Sequence, residues 1–242
     1  MNDKALVSYA AQGDGIALLR LERPEARNAI NTAMLEQLLA HLVAARDDER
    51  VRVVVVSSSD HMGLSAGADV KEKLDEQGKV SRMQLFADLY DAITAFPKPS
   101  VAVCHGDVIG AGAEIAVACD MRIGGSNLRM RFPGAELGVP VGPARLVTLC
   151  GLATAKYLLL SSRTVGADEA LRLGLVNRVA PAAAAEQAAL DLAAEVARHP
   201  SEAVSRLKRM LHEWDGVEQR AAREGEGQVE WQRSGPGLPH RD

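Results

Sequence analysis

Glu114 lies within HGDVIGAGAEIAVACD, His105 to Asp120, among Gly, Ala, Val and Ile. A carboxylate in so apolar a run must find donors or hold its proton more tightly than usual. The small residues before it, in GAGAE, have a counterpart in SAGAD, Ser65 to Asp69. Each follows an apolar strand pattern and precedes a helical one. Amide N–H groups at such starts have no intrahelical acceptor and point outward. Two of them converging from separate loops would hold an oxygen that becomes negative during reaction, and small side chains let it approach. Glu114 would then act as acid or base. The plainer alternative is a glutamate pairing near a helix start.

Two other motifs compete. GLSAG, Gly63 to Gly67, matches a nucleophile elbow with Ser65 as nucleophile, but SSSDHM separates it from the strand that should feed the turn directly. His105, His199 and His212 could serve as its base, and no spacing selects one. GDVIGAG lacks the glycine order and the following acid of a dinucleotide site, and there is no phosphate-binding P-loop. Cys104, Cys119 and Cys150 sit in apolar surroundings without CxxC spacing and read as buried thiols in a reducing compartment.

The elements that must position these groups follow from the patterning. ALVSYA and GIALLRLE flank a turn and predict a hairpin. Asn31 or Thr32 caps a helix carrying Met34, Leu35, Leu38, Leu39, Leu42 and Val43. VRVVVV is a strand covered on both faces, and SAGADVKE leads into a short helix. A helix over 81–96, ended by PKP, presents Met83, Leu85, Phe86, Leu89 and Ile93 as core or pocket wall. SVAVCH, MRIGG and LRMRF are further strands. Beyond Pro143 the pattern is almost wholly helical, with Gly174 as a helix stop. The fold class is α/β with a helical C-terminal part.

Bulk properties bound the rest. A chain of 242 residues with 47% hydrophobic and 25% charged content can bury a core without metals or disulfides. A net charge of −4 argues against a general nucleic-acid binder. MNDKALVSYA lacks the basic head and apolar core of a signal peptide, and the apolar runs read as too short to span a bilayer, so a cytoplasmic protein is expected.

Four segments in order, RPEARNAI, SAGADVKE, HGDVIGAGAEIAVACDMRIG and ADEALRLGLVNRV, resemble the enoyl-CoA hydratase/isomerase (crotonase) family over about residues 4–214. The resemblance implies a crotonase-like spiral of ββα units over 1–180 and a helical oligomerisation region over 181–231, and the composition of SGPGLPHRD predicts a disordered tail, set at 232–242. It implies a homotrimer or dimer of trimers acting on an acyl-CoA thioester, with no metal and no other cofactor, since coenzyme A is part of the substrate. By motif position the oxyanion amides belong to Ala68 and Ala111, and Glu114 is the acid/base. Arg27, Ala66, Gly67, Asp69, Lys71, Gly110 and Gly134 take substrate-binding positions, and Lys73 is a further cation that could meet CoA phosphates.

The chain also departs from the family pattern. Hydratases use a second glutamate in a PExxLG-like segment; here FPGAELG puts Gly134 in its place. Glu136, two residues on, would lie on the same face of an extended segment and could substitute. Asp107 is another acid nearby, at a position expected to point away. Glu25 stands where the family often has lysine, and WQRSGPGLPHRD replaces a further C-terminal helix. Isomerisation, slow hydration, thioester hydrolysis and decarboxylation therefore stay open, as does a non-catalytic acyl-CoA-binding member.

Overall fold

A computed structural model describes residues 5–239. The first residues of MNDKALVSYA and the last three of the chain, on which the leader and tail expectations partly rest, lie outside the described residues.

Strands β1 (Val7–Gln12) and β2 (Ile16–Leu21) form the expected antiparallel hairpin, paired Val7 to Leu21 through Gln12 to Ile16. Helix α1 (Thr32–Asp47) starts at Asn31, whose side chain accepts the Met34 N–H. Three ββα units follow. They are β3 (Val53–Ser58), β4 (Gly63–Ser65) and α2 (Glu76–Thr94); β5 (Ser100–Cys104), β6 (Asp107–Ile109) and α3 (Ala111–Ala118); then β7 (Met121–Gly125), β8 (Arg129–Arg131) and the one-turn α4 (Gly134–Leu137). In each unit the first strand joins a six-stranded sheet, ordered β1-β2-β3-β5-β7 and closed by the later strand Arg178–Ala180. The second joins a four-stranded sheet, ordered β4-β6-β8 and closed by the later strand Thr164–Gly166. This alternation is the spiral.

The second half is less uniformly helical than its composition predicts. Helix α5 (Pro143–Ser161) is broken at Gly151, and the short strand β9 (Thr164–Gly166) pairs antiparallel with β8. After α6 (Ala167–Arg172), β10 (Arg178–Ala180) extends the large sheet beside β7. Both strands are three residues long, too short for an alternating pattern to show. The Ala-rich remainder divides into α7 (Ala185–Ala197), α8 (Ser201–Asp215) and α9 (Val217–Ser234), with Pro200 and Gly216 at the breaks. The tail expected from residue 232 is helical to Ser234. Beyond it the chain folds back, and the Leu238 N–H donates to the Gln232 side chain at 2.9 Å.

Helix α2 begins five residues earlier than the apolar stripe predicts, because the Asp75 side chain accepts the Gly78 N–H and caps it there. No short helix follows SAGAD: the Asp69 carboxylate accepts the Lys71 N–H and closes a turn instead. By length and apolarity α5 could cross a bilayer, contrary to the sequence reading, but its break at Gly151 and its buried Arg145 tie it into the fold.

The large sheet is covered on both faces, which is why VVVV reads as an unbroken apolar run. Ile16, Leu18, Val53, Val55, Val101 and Val103 meet the alanine face of α7. Ala17, Leu19, Leu21, Val54, Val56 and Ala102 face the main core under α1, α2 and α3.

Candidate active site

The site is built where the two glycine-containing loops touch. Loop 66–69 is tied to RPEARNAI by three backbone hydrogen bonds: Ala66 N–H to Arg27 O at 3.0 Å, Ile30 N–H to Gly67 O at 2.8 Å and Asp69 N–H to Ile30 O at 2.9 Å. Arg27 and Asn28 both adopt left-handed backbone conformations to make this turn. The fully buried Asn28 side chain donates to Ser58 Oγ and Leu64 O and accepts the Arg23 N–H. Ser65 Oγ donates to Asn28 O at 2.7 Å and accepts the Gly67 N–H, so it holds the loop and is not a free nucleophile. These bonds use every backbone amide of the loop except that of Ala68, which has no acceptor among the described residues.

The second loop ends at Gly110, whose N–H donates to Arg131 O and whose left-handed conformation starts α3. As first residue of α3, Ala111 has no intrahelical acceptor for its N–H, and none among the other described residues. The loops are in contact: a Cβ added to Gly67 would lie 3.7 Å from the Ala111 nitrogen. Gly112 packs so closely on β4 that an added Cβ would meet Ser65 Cβ at 2.7 Å.

A cavity of about 220 Å³ opens over both amides. Its wall includes Ala66, Gly67, Ala68, Gly110, Ala111, Glu114, Gly134 and Glu136 among the residues singled out from sequence, with Met83 and Phe86 from α2. Arg27, Asp69 and Lys71 stand outside it. Arg27 pairs with Asp107 at 2.9 Å, and Asp69 is held by Arg23 at 2.6 Å while its carbonyl accepts from the buried Arg82. Lys71 is exposed.

Glu114, on the first turn of α3, is 1% exposed. Its Oε2 accepts from Arg145 Nη2 at 3.0 Å, and Gly142 backs the carboxylate so tightly that an added Cβ would lie 2.7 Å from Oε1. Burial, opposed by Arg145 and reinforced by Glu224, pushes the carboxyl up to about 7. An acid so placed exchanges its proton near neutral pH.

One expectation about the acids changes. Gly134 and Glu136 lie in a helical turn, not an extended segment, so positions two apart point to nearly opposite sides. Glu136 is half-exposed, borders the cavity and has its carboxylate bound to Arg131. A side chain could not simply be restored at position 134, where an added Cβ would meet Val139 O at 2.5 Å. Asp107 faces Arg27 and Arg129, as expected of an acid turned from the site.

Sequence reasoning missed further participants: Tyr90, Gln228 and Leu238 line the cavity, and Arg145 pairs with both Glu114 and Glu224. Among the described residues, no group of three or more His, Cys, Asp or Glu is placed to hold a metal ion.

The arrangement is a spiral fold presenting one buried acid and two amides, unpartnered among the described residues, to one pocket. A family profile described as "Enoyl-CoA hydratase/isomerase" matches residues 11–232. The chain belongs to the enoyl-CoA hydratase/isomerase family. It is 34% identical to the 2,3-dehydroadipyl-CoA hydratase of Escherichia coli K12 over 201 residues, covering 82% of this chain and 78% of the relative. It is 30% identical to the short-chain-enoyl-CoA hydratase of Clostridium acetobutylicum, covering 81% and 77%. Among solved structures, Pseudomonas aeruginosa DspI superposes with a TM-score of 0.82 at 30% identity, covering 92% of this chain and 91% of that one. An enoyl-CoA hydratase/isomerase from Xanthobacter autotrophicus Py2 gives a TM-score of 0.86 at 27% identity, covering 98% and 90%.

Proposed function

We propose that this enzyme acts on an enoyl-CoA thioester, with the Ala68 and Ala111 N–H groups holding the thioester oxygen and Glu114 moving the proton. The observation that carries the reading is the convergence of two unpartnered amides and a buried, readily protonated acid on one cavity. Each amide contributes roughly 3 kcal/mol to an oxygen that becomes negative only during reaction. The amides fill the electrophilic role, so the proposed chemistry uses no metal or redox cofactor.

For hydration, the Glu114 carboxylate takes a proton from water as the water oxygen bonds to the β-carbon. The π pair moves through the α-carbon onto the thioester oxygen. Glu114 then returns the proton to the α-carbon, the carbonyl re-forms, and one water has been added. Isomerisation of a 3-enoyl thioester needs no water: Glu114 takes an α-proton, the electron pair is held as a dienolate on the thioester oxygen, and Glu114 returns the proton at the γ-carbon, moving the double bond into conjugation. With glycine at position 134, one carboxylate must carry both proton transfers, which suits isomerisation better than hydration. Met83, Phe86, Val139 and Leu238 give the acyl group an apolar wall.

Turnover is measured by loss of conjugated absorbance from crotonyl-CoA and by conversion of a 3-enoyl-CoA. Isomerisation is expected to be the faster, and Glu114→Gln should lower both by about 100-fold or more. Wild-type turnover by that variant would overturn the assignment. The family's trimeric or hexameric assembly is part of the proposal. It is supported by the exposed Leu152 and Leu160 of α5 and Leu207, Leu211 and Trp214 of α8. Light scattering after gel filtration tests it.

A further inference from the structure

Behind the cavity, three charged side chains from three helices meet away from water. Glu114 comes from α3, Arg145 from α5 and Glu224 from α9, with side-chain exposures of 1%, 2% and 9%. A single guanidinium nitrogen, Arg145 Nη2, serves both acids, at 3.0 Å from Glu114 Oε2 and 2.6 Å from Glu224 Oε1. Arg145 Nε has no partner among the described residues, and the guanidinium lies over the Tyr90 ring, 5.3 Å from its centroid.

The two carboxylates are not equivalent. Glu224 also accepts the Gly142 N–H at 3.1 Å and the Ala144 N–H at 2.7 Å, which are free amides at the start of α5. Negative groups interact favourably with the amide donors at a helix N-terminus. Among the described residues Glu114 has one donor only, the shared guanidinium. One cation thus faces two buried acids, and the better-solvated acid takes the shorter contact.

We propose that Glu224 is a positioning residue that draws Arg145 away from Glu114, so that Glu114 can take up and release the proton moved in catalysis. Without Glu224 the guanidinium would belong to Glu114 alone and fix it as a carboxylate. Without Arg145 Glu114 would be a buried acid with no cation, held protonated. The sharing keeps it between these limits. Among other groups facing this cluster, Tyr90 from α2 stays neutral because burial raises it well above its ordinary value. Asp91 from α2 is half-buried and shifted upward by burial. Across the cavity, Arg131 and Glu136 neutralise each other.

The inference rests on Glu114 being the acid/base, and the experiment separates the two claims. The infrared carboxyl C=O stretch of protonated Glu114, identified by its loss in Glu114→Gln, is titrated in wild type, Glu224→Gln and Glu224→Asp. The Gln variant keeps an oxygen for the α5 amides; the Asp variant keeps the charge. The midpoint near 7 in wild type should fall by about one pH unit in Glu224→Gln and move back toward wild type in Glu224→Asp. The limb of kcat/KM against pH that reports Glu114 should shift with it. If Glu224→Gln lowers melting temperature or rate at every pH without moving the midpoint, the role is structural and the proposal fails. If the midpoint moves but Glu114→Gln still turns over at the wild-type rate, the electrostatic coupling stands and the acid/base assignment falls.

Discussion

At the scale of single residues, Glu114 has its proton binding set by burial, one arginine and a nearby acid, and its geometry set by a neighbour that must lack a side chain. Gly142 has a left-handed φ of 102°, and an added Cβ would lie 2.7 Å from Glu114 Oε1. Gly142→Ala should therefore displace the carboxylate and lower kcat about 10-fold or more, with kinetics as the check. Gly134→Glu, which would restore the second acid in sequence, should leave hydration slow and lower the melting temperature, because Val139 O occupies the space for its Cβ. Stability should also report Glu114. Its folded value lies above the ordinary 4.5, so the protonated form adds stability below that pH, and this is lost as pH rises toward about 7. The melting temperature of Glu114→Gln relative to wild type should accordingly rise between pH 5 and 8. Ala68, Ala111 and Glu114 lie in local motifs whose likeness to the family carries their placement. Glu224 and Arg145 are 79 positions apart, and nothing near either one announces the other.

At the scale of elements, the two loops were readable because each is a strand, a turn of small residues and a change of direction. Helix boundaries shifted where side chains cap, as Asp75 does for α2. The C-terminal helices invert the expectation from periodicity. Helix α8 has a clear apolar stripe, yet Leu207, Leu211 and Trp214 are exposed and only Lys208 is buried, through its bond to Asp120. Helix α9 reads as polar, yet it buries Gly225, Gln228, Val229 and Gln232. The buried amides find partners within the same segment, Gln228 donating to Glu224 and Gln232 accepting the Leu238 N–H, while Glu224 takes the α5 amides and Arg145 from elsewhere in the chain. Contact between α9 and α2 depends on Gly225, where an added Cβ would lie 3.0 Å from Ala87 Cβ. Gly225→Leu should wedge the helices apart and cost on the order of 1–3 kcal/mol in denaturant unfolding. It should also move the pH dependence of catalysis as Glu224→Gln does.

At the scale of the whole molecule, the chain folds its own C-terminal segment onto the pocket. Trp231 Nε1 donates to Gly138 O at 2.8 Å, and Leu238 reaches the cavity wall. The α/β alternation and the helical C-terminal part were legible because they are patterns of whole segments, whereas the spiral path came from the family resemblance. The closure was not legible, because SGPGLP has the composition of an unstructured end and is held by only a few contacts, such as Leu238 N–H to Gln232. Leu238→Ala should enlarge the pocket and shift the preference, measured as kcat/KM across acyl-CoA chain lengths, toward longer groups.

Chain order gives this closure a consequence during synthesis. Both amide-bearing loops leave the ribosome before residue 115, whereas Glu224, Gln228 and Leu238 follow more than a hundred residues later. A growing chain therefore displays an unfinished vessel, open on one side, until residues 224–238 have been made.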